Sequence, residues 1–183
     1  RRTENYWKMW VNKEVFNFYD LPQKLVSFFK RSLLIIRTQI DNNGAIIAAN
    51  DSDIVQMGRD TYSYMWPRDG ALIAYALIKS GYMDTTKRFF QFCADVISKD
   101  GYLLHKYNPD RSVASSWHPW VKEDKKILPI QEDGIALVVW ALWNHYDEFR
   151  DIEFVKPLYR CLITNAAEFM VKFRDEETGL PLN

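Results

Sequence analysis

Two stretches of the 183-residue chain decide the expected fold: Arg68-Asp-Gly-Ala-Leu-Ile-Ala-Tyr-Ala-Leu77 and Glu132-Asp-Gly-Ile-Ala-Leu-Val-Val-Trp-Ala-Leu142. Each stretch places Asp-Gly at the expected start of a helix and continues with a segment that is apolar nearly all round. A helix of that composition is buried on every side. The two stretches form a partial internal repeat, about one helical hairpin apart.

The segments around this repeat predict helices of a different kind. One begins near Asp84, carries apolar residues at three-to-four spacing and ends at Gly101, and another runs from about Asp151 to Arg174. Each has one apolar stripe and one polar face. Buried helices that alternate with half-exposed ones indicate a double ring, in which outer helices wrap inner ones. We therefore expect an all-α fold, an α/α toroid, and a simple helical bundle explains the alternation less well.

The remaining segments complete the expected organisation. A further helix is predicted from about Asp20 to Ile40, and a polar, aromatic loop from Tyr102 to about Ile130. The inner helices are expected from about Asp69 to Lys79, with Gly81 as the C-cap, and from Glu132 to His145. Residues 1–20 are interpreted as a linker or contact segment from a preceding domain, and residues 21–183 as the N-terminal portion of the toroid.

Charge and composition exclude several classes of function. The 24 basic residues balance the 24 acidic ones, so electrostatic capture of nucleic acid or of an anionic membrane is not expected. The longest apolar stretches, residues 71–78 and 135–143, are about half the length that spans a bilayer. Cys93 and Cys161 lie in apolar helical patterns, which indicates buried thiols rather than a secreted disulfide scaffold. The cytoplasm is slightly favoured over secretion, and the compartment is otherwise left open.

A sugar site is expected where the inner helices begin. In a double ring these N-termini converge at one mouth, which would bring together residues 62–70, 115–120 and 131–134. These segments hold flat aromatic rings, a guanidinium group and carboxylates. Aromatic faces pack against the C–H face of a pyranose, while Arg and Asp bind its hydroxyls. Polar groups that converge over aromatic walls are typical of a small-ligand pocket.

Each of these residues also has a simpler explanation. Asp69 and Asp133 are explained equally by helix N-capping, and Glu132 by the helix dipole, which favours a negative charge in the first turn. Trp66 and Trp117 are explained by packing, and His118 by a hydrogen bond within its loop. The three histidines do not show the spacing of a metal site, and no metal is expected.

Six segments carry a resemblance to a known family. They are Arg31-Ser-Leu-Leu, Gly44-Ala-Ile-Ile-Ala-Ala, Tyr62-x-Tyr-x-Trp-Pro-Arg-Asp-Gly, Gly101-Tyr-Leu-Leu-His-Lys-Tyr-Asn-Pro-Asp, Ser115-Ser-Trp-His-Pro-Trp and Gln131-Glu-Asp-Gly-Ile-Ala-Leu. In this order they resemble family 15 of the glycoside hydrolases, which holds glucoamylases, glucodextranases and some microbial trehalases. The resemblance implies an (α/α)6 barrel, incomplete in this chain. It also implies inverting exo-hydrolysis of α-glucosidic bonds that releases glucose from non-reducing ends, with no cofactor.

The resemblance assigns binding roles, position by position, to eight residues. Arg68 and Asp69 would hold the hydroxyls of the terminal glucose, with Trp66 against its ring and Tyr62 near the side where water is activated. The neighbouring subsite would be lined by Trp117 and His118, and the pocket rim, or the layer behind it, would hold Glu132 and Asp133.

The catalytic pair is expected elsewhere. In the family the general acid follows a Gly-Leu-Pro-Leu-Pro-like segment, whose counterpart here is Gly179-Leu-Pro-Leu-Asn183, and the base comes much later. Neither catalytic carboxylate is therefore assigned. An N-terminal β-domain and the remainder of the barrel are the expected partners of this chain, beside an α-glucan or α-glucoside substrate.

Two other readings stay open at this point. Regulatory subunits of phosphorylase kinase resemble the same family, so the chain could belong to a non-catalytic module that regulates or senses carbohydrate. A generic helical scaffold, whose mouth residues are only caps and packing, is the third.

Overall fold

The computed structural model describes residues 1–13, 16–51, 61–114, 120–122 and 124–182. Trp117 and His118 therefore lie outside the described residues. The chain divides into two units, Arg1–Ile40 and Asp41–Asn183. The boundary expected after residue 20 and the preceding domain stay predictions.

The first unit is a pair of helices, α1 (Arg2–Val11) and α2 (Gln23–Thr38). Helix α2 is the one expected from the sequence, whereas α1 was expected only as a contact segment. The indole Nε1 of Trp10 donates a hydrogen bond to the carbonyl oxygen of Leu33 at 3.0 Å. The guanidinium of Arg37 lies over the Trp10 ring, 5.5 Å from its centroid. The aromatic residues of α1 thus pack against the neighbouring helix.

The second unit contains the repeated helices and those that cover them. Its elements, in chain order, are α3 (Pro67–Lys79), α4 (Met83–Val96), α5 (Glu132–Phe149), α6 (Ile152–Leu158), a π-helical segment (Tyr159–Asn165) and α7 (Ala166–Lys172). Two-residue strands, β1 (Val121–Lys122) and β2 (Lys125–Lys126), form an antiparallel hairpin within the expected loop. The fold is all-α, as the sequence predicts.

The two repeated helices lie side by side. A Cβ atom placed on Gly134 of α5 would lie 3.7 Å from the Cβ of Pro67 at the start of α3. At the opposite ends of the helices, Lys79 Nζ and Glu148 Oε2 form an ion pair at 2.9 Å. Helix α4 packs against both α3 and α5, and α6 packs against α4 and α5. The predicted order, in which outer helices follow inner ones, is thus observed.

The outward faces of α3 and α5 are less covered than their apolar sequences predict. Leu72 is 49% exposed, Trp140 39% and Trp143 59%. The described elements cover the opposite faces, where Ala74 and Leu142 are fully buried. The apolar composition of α3 and α5 predicts burial on every side. The helices described here bury one side of each.

The last expected helix is interrupted. Residues 151–174 were predicted as one helix, but the seven residues Tyr159–Asn165 take the wider π-helical form between α6 and α7. The π-helical segment begins two residues after Pro157, which lies inside α6 and has no N–H to donate within the helix. The start of the helix follows the prediction, since the Asp151 side chain caps it by accepting from the Phe154 N–H at 3.1 Å.

Across the described residues, no helix combines the length and the apolar character that a bilayer crossing requires.

Candidate functional site

The site is built where irregular backbone meets the start of α3. The amide of Ala48 donates to the carbonyl of Tyr64, and that of Ala49 to the carbonyl of Tyr62, each at 3.1 Å. Met65, two residues before α3 begins, exchanges two backbone hydrogen bonds of 2.9 Å with Tyr107. Three separate stretches of chain are thereby held against the helix start.

These stretches enclose a cavity of about 230 Å³. It is lined by Ala48, Tyr62, Trp66, Arg68, Asp69, His105 and Gln131. The structure therefore brings together Tyr62, Trp66, Arg68 and Asp69, four of the residues that the sequence analysis assigns to the site.

Trp66 forms a fixed aromatic wall of this cavity. Its side chain is only 4% exposed, and its indole Nε1 donates to His105 Nε2 at 3.2 Å. The Tyr62 ring lies 5.8 Å from the Trp66 ring, inclined by 33°. Because an indole N–H only donates, His105 accepts as the neutral tautomer with its proton on Nδ1. The plane of the indole is set by this bond.

Arg68 links the starts of the two repeated helices. Its Nε lies 3.6 Å from Asp69 Oδ2, and its Nη1 lies 3.8 Å from Asp133 Oδ2. With the Gln131 amide oxygen turned toward it, both terminal nitrogens of Arg68 donate to that oxygen at 3.2 Å. The side chains of Arg68, Asp69 and Asp133 are 40 to 51% exposed, so solvent screens these ion pairs. Their main effect is to orient the guanidinium.

The capping explanation for Asp69 and Asp133 is wrong. The N-cap residues are Trp66 for α3 and Gln131 for α5, and neither helix has a side-chain cap bond. The two carboxylates instead lie within the first helical turns. Within the described part of the chain, Asp69 is paired with Arg68 at a distance longer than a hydrogen bond. Its oxygens can therefore still accept hydrogen bonds from a ligand.

Glu132 does not join this cavity. Its exposed side chain lines a second hollow, of about 170 Å³, together with Ile135 and Phe169. Its place in the first turn of α5 fits the dipole explanation. Asp133 adjoins the cavity through Arg68, while Trp117 and His118 fall on residues that the structure does not describe.

Three lining residues were not singled out from the sequence: Ala48, His105 and Gln131. Each belongs to a segment that carries the family resemblance, which was the available signal. The contact between His105 and Trp66, 39 positions apart, was not predicted. In the described ranges, no group of three or more His, Cys, Asp or Glu side chains is placed to hold a metal ion.

Comparison with known proteins agrees with this architecture. The chain is 31% identical to an uncharacterized glycosyl hydrolase of Methanocaldococcus jannaschii over 170 residues, covering 91% of this chain and 24% of the relative. The chain thus spans about a quarter of the length of that curated relative.

Solved glycosidases share the fold. A wild-type glycosidase superposes with a TM-score of 0.59 at 20% identity, over 82% of this chain and 42% of the other. A glycosidase variant in complex with glucose gives a TM-score of 0.58 at 21% identity, over 80% and 40%. These matches show that the present chain shares its fold with about two fifths of each solved chain.

The sequence profile of glycosyl hydrolases family 15 matches residues 27–170. This match takes in α3, α4 and α5 together with every residue that lines the cavity. The chain belongs to glycosyl hydrolases family 15.

Proposed function

We propose that the protein to which this chain belongs hydrolyses α-glucosidic bonds, releasing glucose from non-reducing ends with inversion. The cavity at the start of α3 would hold the terminal glucose. The observation that carries the proposal is the convergence of an indole, a guanidinium and a carboxylate on one small cavity. Family membership supports the same chemistry.

The cavity offers a neutral sugar what it needs. The Trp66 and Tyr62 rings form an aromatic wall that suits the C–H face of a pyranose. Asp69 supplies acceptors, and Arg68 supplies donors held in a fixed fork. A vicinal pair of hydroxyls can use both groups at once, since one hydroxyl can accept from Arg68 while its neighbour donates to Asp69.

The groups in this cavity bind rather than react. Inversion requires an acid and a base roughly 6.5–9.5 Å apart, on opposite sides of the scissile bond. We assign neither role to Asp69 or Glu132. We propose that Asp69 and Arg68 form hydrogen bonds with the glucose hydroxyls. These bonds become stronger as the pyranose ring distorts toward the transition state.

The proposal is tested with the full-length protein on maltose, isomaltose and trehalose. Glucose release from one of them is the expected result. Inversion would give an initial excess of the β-anomer in the NMR spectrum from maltose or isomaltose, and equal amounts of the two anomers from trehalose. The preferred substrate would distinguish a glucoamylase from a glucodextranase or a trehalase. A protein that binds glucose but hydrolyses none of the three would instead favour the non-catalytic reading.

A matched pair of arginines tests the site. Arg68 and Arg111 are similarly exposed, with side chains at 40% and 35%, and each pairs with an aspartate. Arg68→Lys should lower kcat/KM at least tenfold because the bidentate fork is lost. Arg111→Lys makes the same change at a comparable ion pair with Asp95, outside the cavity, and should leave kcat/KM within twofold. Equal kinetics in the two variants would contradict the assignment.

A further inference from the structure

Asp51 ties together the two backbone segments that form one wall of the cavity. Residues 48–49 run alongside residues 62–64 through the two amide bonds described above. Asp51 lies at the end of this pairing. Ala48 and Tyr62, one from each segment, both line the cavity.

The Asp51 carboxylate is surrounded by hydrogen-bond donors from the opposite segment. Oδ1 accepts from the hydroxyls of Thr61 and Ser63, the latter at 2.6 Å, and Oδ2 accepts from the Tyr62 N–H at 2.8 Å. The Asp51 N–H donates to Ser63 Oγ at 3.2 Å. These bonds, that from Ser63 foremost, lower the pKa of Asp51 to about 2. The carboxylate is thus ionised, and its hydrogen bonds are charge-assisted.

The backbone of Tyr62 is held by this arrangement. The Tyr62 side chain is 52% exposed, so surrounding atoms cover less than half of it. Its backbone N–H is held by Asp51 and its carbonyl by Ala49. The ring projects from this fixed backbone toward Trp66.

We infer that Asp51 is a positioning residue of the sugar site, which holds Tyr62 in register with Trp66 and Asp69. This inference rests on the proposed function. Asp51 is not among the residues that line the cavity, and it acts through Tyr62. Loss of its charge should therefore impair turnover by misplacing the ring rather than by removing a contact with the sugar.

Asp51→Asn in the full-length protein tests the inference, because one amide group replaces an acceptor oxygen without changing the size of the side chain. We expect a loss of about tenfold in kcat/KM and faster hydrogen exchange at the Tyr62 amide. Asp110→Asn is the matched control. The Asp110 carboxylate accepts from the Ser112 N–H at 2.9 Å and from its hydroxyl at 2.6 Å, but it lies outside the cavity. This control should leave both quantities unchanged.

A double-mutant cycle separates positioning from general destabilisation. If Asp51 acts through Tyr62, Asp51→Asn should cost less than threefold once Tyr62→Ala has removed the ring. Fully multiplicative losses would overturn the inference. If Asp51→Asn does not fold, Ser63→Ala is the alternative variant, because it removes one of the donors to the Asp51 carboxylate. It should lower kcat/KM two- to fivefold.

The failures are distinguishable. An active wild-type protein in which Asp51→Asn behaves like Asp110→Asn overturns the inference and leaves the proposed function intact. A wild-type protein that neither binds nor hydrolyses any of the glucosides overturns both.

Discussion

The two Asp-Gly helix starts are alike in sequence and different in what they contribute. At the start of α3, residues 66–69 supply an indole, a guanidinium and a carboxylate to one cavity. At the start of α5, Gln131 alone is among the lining residues, and Glu132 lines a separate hollow. The glycines differ as well. A Cβ on Gly70 would lie 2.5 Å from the Phe89 ring, whereas one on Gly134 meets its nearest atom at 3.7 Å.

The difference shows that a repeated motif specifies a helix start, not a role. Both starts deliver polar side chains to the same end of the helix pair. The α3 start is preceded by a backbone segment that folds over the site, and the α5 start supports it through Gln131 and Asp133. One start is proposed to contact the ligand, and the other to orient Arg68.

The two aspartates should therefore differ in kinetics. Asp69→Asn in the full-length protein should lower kcat/KM well over tenfold, because a hydrogen bond to a charged acceptor contributes about 1.5–3 kcal/mol. Asp133→Asn should lower it less than tenfold, since Asp133 acts only through Arg68. Steady-state kinetics on the preferred glucoside measures both. Near-normal kinetics for Asp69→Asn would refute its proposed contact.

The two glycines should differ in stability. Gly70→Ala should lower the free energy of unfolding by about 1–3 kcal/mol, because its Cβ collides with the Phe89 ring, which is fully buried. Gly134→Ala meets only ordinary contacts and should change it by less than about 1 kcal/mol, with Ala favoured in a helix. Urea unfolding of the two variants decides this. Equal stability would mean that the Phe89 ring of α4 can move away from Gly70 at little cost.

The far end of α5 should give stability a pH dependence. His145 is fully buried, with Nδ1 2.9 Å from Thr86 Oγ1. Burial, assisted by nearby Lys87 and opposed by Asp151, lowers its pKa to about 4. The unfolded chain binds the proton near pH 6.5, so the stability from neutral His145 is complete above that pH and is lost as the pH falls toward 4. The loss should be on the order of 1 to 2 kcal/mol between pH 7 and pH 5.

Protonation of aspartates whose pKa is lowered also destabilises the fold in acid. The effect of His145 is therefore measured as the difference in stability between two proteins. Urea unfolding of the wild type and of His145→Asn should converge as the pH is lowered from 7 to 5. Parallel pH profiles for the two proteins would show that His145 is not the group responsible.

Glu132 should show the smallest effect. Glu132→Gln should leave kcat/KM within about twofold, because its side chain is exposed and lines the hollow beside Phe169 rather than the cavity. The resemblance places Glu132 at the pocket rim, so a loss above tenfold would support that role. It would also show that the α5 start contributes directly to the site.

The sequence predicted the parts of the fold that depend on local pattern. Gly81 takes a left-handed φ of 72° just after α3, as its place after an apolar helix predicts, although the C-cap itself is Ser80. Asp151 caps the following helix. The π-helical segment was not predicted, because hydrophobic spacing does not distinguish a wide turn from an α-helical one. Residues 1–20 were expected to be a linker or contact segment, and helix α1 within them was not predicted.

The site residues that belong to one local motif could be predicted from the sequence. Those brought in by contacts between distant positions could not. The nine-residue segment 62–70 contains four of the predicted site residues, so one motif was enough to predict them: Tyr62, Trp66, Arg68 and Asp69. His105 and Asp51 contact that segment through their side chains, His105 by accepting from the Trp66 indole 39 positions away and Asp51 by accepting from the Tyr62 N–H 11 positions away. Motif spacing and periodicity do not predict contacts between positions so far apart.

The amino-acid sequence by itself determined the family, the all-α class and the residues that begin α3, because periodicity and motif spacing are properties of neighbouring positions. Tertiary structure alone decided that Gln131 joins the cavity while Glu132, its neighbour, lines another hollow. Adjacent residues at a helix start point in different directions. Which of them lines the site depends on the segments that pack around that helix start.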